Sequence, residues 1–142
     1  MAQRRTQAWA LPDHRLLATV YLEDTDALGI VYHTNYLKYC ERARTDILAR
    51  YGYKLGQMVD SGCLFVVFEM QLRFLQPARL HDELEVRTAA GRTSDYRLVF
   101  EHHVHRVGED EPLFFADAQV VSIDRAGEIL ELPEGLLESA PV

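Results

Sequence analysis

The chain has 142 residues, of which 48% are hydrophobic and 26% charged, and its formal net charge is −7. This size and composition fit one globular domain with its own core, while the acidic balance argues against a general nucleic-acid-binding surface, which needs a basic face. Only Cys40 and Cys63 occur, so no disulfide framework is expected. The first residues contain no apolar run, and the sequence therefore predicts a cytoplasmic protein without a transmembrane segment.

The first part of the chain predicts a tail, a strand and a long helix. Residues 1–13 are predicted to be an N-terminal tail, and residues 16–22 alternate in hydrophobicity as a strand does. Residues 26–35 are predicted to form a connecting turn. Apolar residues then recur at spacings of three and four over residues 36–51, which is typical of one face of an α-helix. A short helical turn is expected over residues 55–60.

The rest of the chain predicts strands. Apolar residues alternate over residues 64–74, 84–88, 98–104 and 113–123, and short turns join these segments. Strands connected by such turns pair antiparallel. Because one long helix can cover only one face of the sheet, the sequence predicts a two-layer α+β domain over residues 14–142. The other face is then either solvated or buried against a partner subunit.

The most specific motif lies between residues 20 and 45. It comprises VY at 20–21, EDTD at 23–26, GIVYH at 29–33, NYL at 35–37 and ERART at 41–45. With these segments the chain resembles the 4-hydroxybenzoyl-CoA thioesterase-like family of the hotdog fold, and within it the Tol-Pal-associated branch often called YbgC-like. The resemblance implies a long central helix wrapped by a curved antiparallel sheet of about five strands. It also implies hydrolysis of acyl-CoA without a cofactor, and a homo-oligomer that is either a dimer or a tetramer.

The resemblance assigns catalytic roles within this motif. Asp26 matches the catalytic carboxylate, and the backbone N–H of His33 matches the group that points at the thioester carbonyl. The chemistry is reasonable, because a helix N-terminus offers unpaired N–H groups and positive potential to a developing oxyanion. The carboxylate could attack the carbonyl or activate water. Tyr32 and Asn35 are predicted substrate-binding residues, with a packing role or a helix cap as the alternative.

Two positions depart from the family pattern. Many relatives have two glycines in the turn after the catalytic aspartate, and here Leu28 replaces the first, so it either narrows the acyl pocket or points outward. Some relatives carry a basic cluster for the CoA phosphates in the turn after the strand predicted over residues 84–88. The basic residues nearest that turn are Arg92 and Arg97, which are the predicted phosphate contacts.

Other residues that could carry chemistry have simpler interpretations. Asp24 is expected to be a solvated or capping acid. Glu41 lies beside the apolar stripe of the predicted helix and is the alternative carboxylate if Asp26 is not catalytic. Cys40 is expected to be a buried apolar residue rather than a nucleophile, since nothing near it in sequence marks it as ionised.

The histidines and the remaining functional classes also leave alternatives. His102, His103 and His105 lack a further ligand of suitable spacing, which favours a solvated sheet face over a metal site. A non-catalytic module that binds CoA thioesters and a thioesterase acting on acyl carrier protein are the alternative functions. A hotdog dehydratase is disfavoured because the histidine motif of that branch is missing.

Overall fold

The protein is built from one antiparallel sheet and one long helix. In the computed structural model, which describes residues 9–138, the sheet order is β1-β3-β4-β5-β2, with β6 paired to β5. The strands are β1 (Leu11–Thr19), β2 (Leu64–Phe74), β3 (Glu83–Arg92), β4 (Arg97–Arg106), β5 (Pro112–Ile123) and β6 (Ile129–Leu130). The helices are α1 (Asn35–Arg50) and α2 (Leu55–Ser61), and Leu22–Asp24 forms a 3-10 turn.

Helix α1 forms the second layer, and the predicted two-layer α+β arrangement is confirmed. Its apolar stripe, including Tyr36, Cys40 and Ile47, is buried against the sheet. A side chain as large as Ile47, which is completely buried, contributes about 1.5–3 kcal/mol through removal of apolar surface from water. The observed helix lies within one residue of the predicted range at each end.

The edge strand β2 is left uncovered on its helix-facing side. Met70, Leu72 and Phe74 pair with Ala118, Ala116 and Phe114, whose side chains are buried in the core, so these β2 residues face the layer that contains α1. Helix α1 lies closest to β1 and β3, near the opposite edge. As a result Phe74 is 52% exposed and Leu72 is 37% exposed.

The predicted limits of the first strand were wrong at both ends. Strand β1 starts at Leu11 rather than at residue 16, and so takes in residues that the sequence assigned to the tail. Pro12 is accommodated because β1 is an edge strand, where a missing N–H need not break a ladder bond, and the pairing with β3 shifts register between Leu11 and His14. The strand ends at Thr19 because the 3-10 turn follows almost at once.

Candidate active site

Asp26 lies at the head of a small hairpin that leads into α1. Thr25 and Val31 form a β-bridge, and the Asp26 N–H donates to the Ile30 carbonyl at 2.9 Å. The Gly29 N–H donates back to the Asp26 carbonyl at 3.0 Å, with Gly29 at φ 75°, a left-handed conformation that glycine adopts without strain. The Asp26 Oδ1 accepts the Leu28 N–H at 2.8 Å, and the side chain is partly exposed. The carboxylate is thus held in place and remains accessible.

A second loop holds this hairpin against the body of the domain. The Val31 N–H donates to the Ala78 carbonyl at 2.9 Å, and Ile30 forms a bridge with Arg79. The Ala78 N–H in turn donates to the Tyr36 hydroxyl at 3.0 Å, which ties the loop to the first turn of α1. The hairpin and the helix start are therefore fixed to the same support.

The start of α1 presents backbone N–H groups that the fold does not use. The Tyr32 N–H donates to the Asp24 carbonyl, and the Asn35 N–H donates to the Tyr32 carbonyl. Among the described residues, neither the His33 N–H nor the Thr34 N–H has a hydrogen-bond acceptor. Thr34 is the N-cap residue, but its side chain makes no capping bond. The helix start therefore keeps the free donors and positive potential that can stabilise an oxyanion.

Aromatic side chains surround the exposed His33 ring. It lies 4.6 Å from the Tyr32 ring and 6.2 Å from the Phe74 ring between centroids, and Tyr32 is 45% exposed. Beneath them, Tyr36 and Phe114 stack at 4.8 Å. Phe74 was not predicted to be a site residue, because the alternation around it predicted a strand and the family resemblance assigned it no role.

The structure does not bring the two predicted phosphate contacts to Asp26 within one chain. They lie at the far end of the β3–β4 hairpin, and ten residues of β3 span roughly 30 Å. Arg92 donates to the Pro133 carbonyl at 2.9 Å and pairs with Glu138 at 3.4 Å, and only 14% of its side chain is exposed. The Arg97 guanidinium lies over the Phe68 ring at 4.8 Å, and its side chain is exposed.

Several of the other candidates are now placed. Asn35 does not cap the helix, since its side-chain amide donates to Asp24 at 2.8 Å. Leu28 is 80% exposed and points outward, and Glu41 is exposed as well. Cys40 is completely buried, which raises the pKa of its thiol to about 12 and keeps it protonated at neutral pH. This supports the interpretation of Cys40 as a core residue.

The expectation of a solvated face was wrong for His105, which is 5% exposed, and for His102. The His102 side chain is completely buried, with Nε2 3.1 Å from Arg44 Nη1 and Nδ1 2.7 Å from Thr88 Oγ1. Because arginine can only donate, Nε2 must accept and Nδ1–H must donate to Thr88. Within residues 9–138, no group of three or more His, Cys, Asp or Glu side chains could hold a metal ion. No helix in that range is long and apolar enough to cross a membrane.

Comparison with known proteins agrees with this geometry. A family model described as the thioesterase-like superfamily matches residues 20–139. The chain belongs to the thioesterase-like superfamily. The acyl-CoA thioester hydrolase YbgC of Escherichia coli O6:H1 is 37% identical over 105 residues, which are 74% of this chain and 78% of that protein. The 1,4-dihydroxy-2-naphthoyl-CoA hydrolase of Thermosynechococcus vestitus is 37% identical over 93 residues, which are 65% of this chain and 64% of that protein.

Solved structures of this superfamily share the fold. The crystal structure of a probable thioesterase from Bartonella henselae superposes with a TM-score of 0.77 at 30% identity, covering 85% of this chain and 99% of that one. A 1,4-dihydroxy-2-naphthoyl-CoA thioesterase from Synechocystis gives a TM-score of 0.80 at 23% identity, covering 86% and 90%. The predicted hotdog fold and the predicted membership of the thioesterase family are thereby confirmed, and the relatives support a thioester hydrolase.

Proposed function

We propose that this protein is an acyl-CoA thioesterase, which converts a CoA thioester and water into a carboxylate, a proton and CoA thiol. The observation that carries the proposal is the unused His33 N–H at the start of α1, directly after the hairpin that presents Asp26. The names of the relatives as acyl-CoA and naphthoyl-CoA hydrolases support the same chemistry.

The proposed mechanism uses one carboxylate and one helix terminus. The thioester carbonyl accepts a hydrogen bond from the His33 N–H, which stabilises negative charge as the carbonyl carbon becomes tetrahedral. Asp26 either attacks that carbon or removes a proton from the attacking water, and the carbon–sulfur bond then breaks. A thiolate leaves readily, so no metal is needed. The exposed Tyr32 ring is a substrate contact in this scheme, whereas Asn35 acts through Asp24.

We further propose that two copies pair through β2 and complete each other's sites. The free edge of β2 and its uncovered apolar residues would be buried by an antiparallel β2–β2 pairing. In such a pair the Leu64 end of one copy lies beside the Phe74 end of the other, with Phe68 near the middle of each strand. The partner's Arg97, which lies over its own Phe68, would then approach the CoA phosphates, while Arg92 stays bound to the C-terminal segment. Light scattering that showed an active monomer at micromolar concentration would contradict this pairing.

The experiment that tests the activity is a thiol-release screen. Acyl-CoA substrates of increasing chain length, with benzoyl-CoA and hydroxybenzoyl-CoA, are compared on the wild-type protein and on Asp26→Asn. Asparagine keeps the shape of aspartate but cannot attack or take a proton, so kcat should fall at least about a hundredfold with KM little changed. An active Asp26→Asn variant would refute the assignment and make Glu41 the next carboxylate to replace.

The same screen, extended to acyl-carrier-protein substrates, identifies the thioester carrier. An acyl carrier protein presents the same thioester, so kcat/KM for matched acyl-CoA and acyl-carrier-protein substrates separates the two alternatives. We propose a cytoplasmic location, which the free thiols of Cys40 and Cys63 support because a reducing compartment keeps cysteines unpaired.

A further inference from the structure

Asp24, which was expected to be a solvated or capping acid, does cap the 3-10 turn through the Tyr21 N–H, but it is buried rather than solvated and joins three parts of the candidate site. Only 6% of its surface is exposed. Its Oδ2 accepts the Tyr21 N–H at 2.9 Å, and its Oδ1 accepts the Asn35 side-chain amide at 2.8 Å. Its carbonyl accepts the Tyr32 N–H at 2.9 Å. One residue therefore connects the end of the first strand, the hairpin and the first residue of α1.

A carboxylate at this position is costly, and its geometry explains why it is present. Both hydrogen bonds to the Asp24 carboxylate come from neutral N–H donors, the nearby Tyr39 hydroxyl is neutral as well, and burying a charge without a cation is unfavourable. An asparagine would be easier to bury, but its amide has only one acceptor oxygen. With the Asn35 amide as it lies, its NH₂ group would face a second donor, either the Tyr21 N–H or the Asn35 NH₂, and only a turned-over Asn35 amide would offer it an oxygen. Only an aspartate accepts both hydrogen bonds at once.

The bonds of Asp24 end on the neighbours of the two groups assigned to the chemistry. Tyr32 precedes His33, whose N–H is the proposed oxyanion donor, and Asn35 opens the helix that supplies its positive potential. On the other side, Asp24 ends the 3-10 turn two residues before Asp26. A loss of these bonds would let the carboxylate and the N–H move relative to each other.

Resting on the proposed function, we propose that Asp24 is a positioning residue for catalysis, which sets the separation of the Asp26 carboxylate and the His33 N–H. It touches neither substrate nor reacting atoms. A displacement of about 1 Å between reacting groups can cost a hundredfold in rate. Asp24→Asn should therefore lower kcat between about tenfold and a hundredfold while KM changes by no more than about threefold.

The deciding variant is the exchange Asp24→Asn with Asn35→Asp. In this double variant, the amide NH₂ at position 24 can donate to the carboxylate at position 35, while its oxygen still accepts the Tyr21 N–H. Both hydrogen bonds are therefore restored, and the one between positions 24 and 35 runs in the opposite direction. A carboxylate at the first residue of α1 also suits the helix dipole. We expect the kcat of the exchange variant to lie within about threefold of the wild-type value, well above that of Asp24→Asn alone. Hydrogen exchange of the Tyr32 amide, followed by NMR, should speed up in Asp24→Asn and slow again in the exchange variant.

A matched control separates positioning from loss of stability. Ile47→Val removes a methylene from the buried stripe of α1, three turns away from the hairpin, and is compared with Asp24→Asn below both thermal midpoints. The proposal is overturned if Asp24→Asn and Asn35→Ala, which cannot re-form the bond by turning over an amide, both keep kcat within twofold of wild type, if Ile47→Val loses as much kcat as they do, or if the exchange restores the thermal midpoint without restoring kcat. Should Asp24→Asn fail to fold, Asn35→Ala carries the same comparison. A wild-type protein inactive on every thioester would refute the proposed function instead, and the Tyr32 exchange rates would still test whether the hydrogen bonds of Asp24 hold the loop.

Discussion

The role of the His33 backbone can be tested by deleting one N–H group. His33→Pro does this, because proline has no backbone N–H. In the described part of the chain this N–H donates to no acceptor, so its removal breaks no hydrogen bond of the fold. Proline is also tolerated around the first turn of a helix, whereas in a helix interior it costs about 3 kcal/mol. The thermal midpoint of the variant should therefore stay near that of the wild type.

The expected effect on the rate is large by comparison. Removal of one oxyanion donor lowers kcat about a hundredfold to a thousandfold, which corresponds to about 2.7–4 kcal/mol. His33→Ala keeps the N–H and removes only the ring that contacts Tyr32 and Phe74, so its loss should be about tenfold, near 1.4 kcal/mol. Thr34→Pro is the matched control. It places a proline one residue later, where the backbone φ is −71° and suits proline, and it leaves the His33 N–H in place.

The assay is steady-state thiol release at saturating acyl-CoA, with kcat referred to the folded fraction measured by circular dichroism. We expect the kcat of the wild type to exceed that of His33→Ala, and the kcat of His33→Ala to exceed that of His33→Pro by about tenfold or more. If the alanine and proline variants are equally active, the backbone N–H is not the donor. If His33→Ala is as damaging as Asp26→Asn, the imidazole takes part in the chemistry. If Thr34→Pro loses more kcat than His33→Pro, the oxyanion donor is the Thr34 N–H rather than the His33 N–H.

Four further outcomes follow from the structure. Arg97→Ala should raise KM with little change in kcat, while Arg92→Ala should lower the thermal midpoint and leave KM unchanged, as steady-state kinetics and melting curves can show. Activity should survive EDTA, and loss on chelation with recovery on one added metal would contradict this. Because the pKa of the Cys40 thiol is about 12, iodoacetamide at neutral pH should leave Cys40 unlabelled in the folded protein by mass spectrometry. Burial lowers the pKa of His102 well below 6.5. As the pH falls through 6.5, His102 therefore binds a proton in the unfolded chain but stays neutral in the folded chain. The free energy of unfolding should then fall by up to about 1.4 kcal/mol per pH unit from this residue, and His102→Gln should partly flatten that slope in denaturant titrations.

The elements that the sequence predicted well are those specified by local periodicity. Strand β2 was predicted at both ends, and α1 to within one residue, because an apolar side chain recurs at the period that each structure requires. The limits of β1 were missed because they depend on its neighbours. Its start includes Pro12 because an edge strand tolerates a missing N–H. Its end lies just before Tyr21, whose N–H donates to the Asp24 carboxylate instead of to a neighbouring strand.

The candidate site divides in the same way. Asp26 and His33 belong to one contiguous motif, and short-range bonds such as that between Asp26 and Ile30 build their geometry, so a motif could identify them. The position of Arg92 depends instead on Pro133, 41 residues away, and no spacing in the sequence indicates that contact. The predicted phosphate contact of Arg97 depends on the proposed β2–β2 pairing, because within one chain its guanidinium lies over Phe68.

Asp24 belongs to neither group, and this makes it informative about how the motif works. Its partners lie only 3 and 11 residues away, within the motif itself, yet an aspartate in a turn most often caps a local N–H. Its role becomes visible only when burial and the two neutral donors are considered together. The EDTD segment then contains two carboxylates with different environments, one buried and fully bonded and one partly exposed. In the proposed mechanism the first stabilises the loop at the cost of a buried charge, and the second, which is partly exposed, meets the thioester.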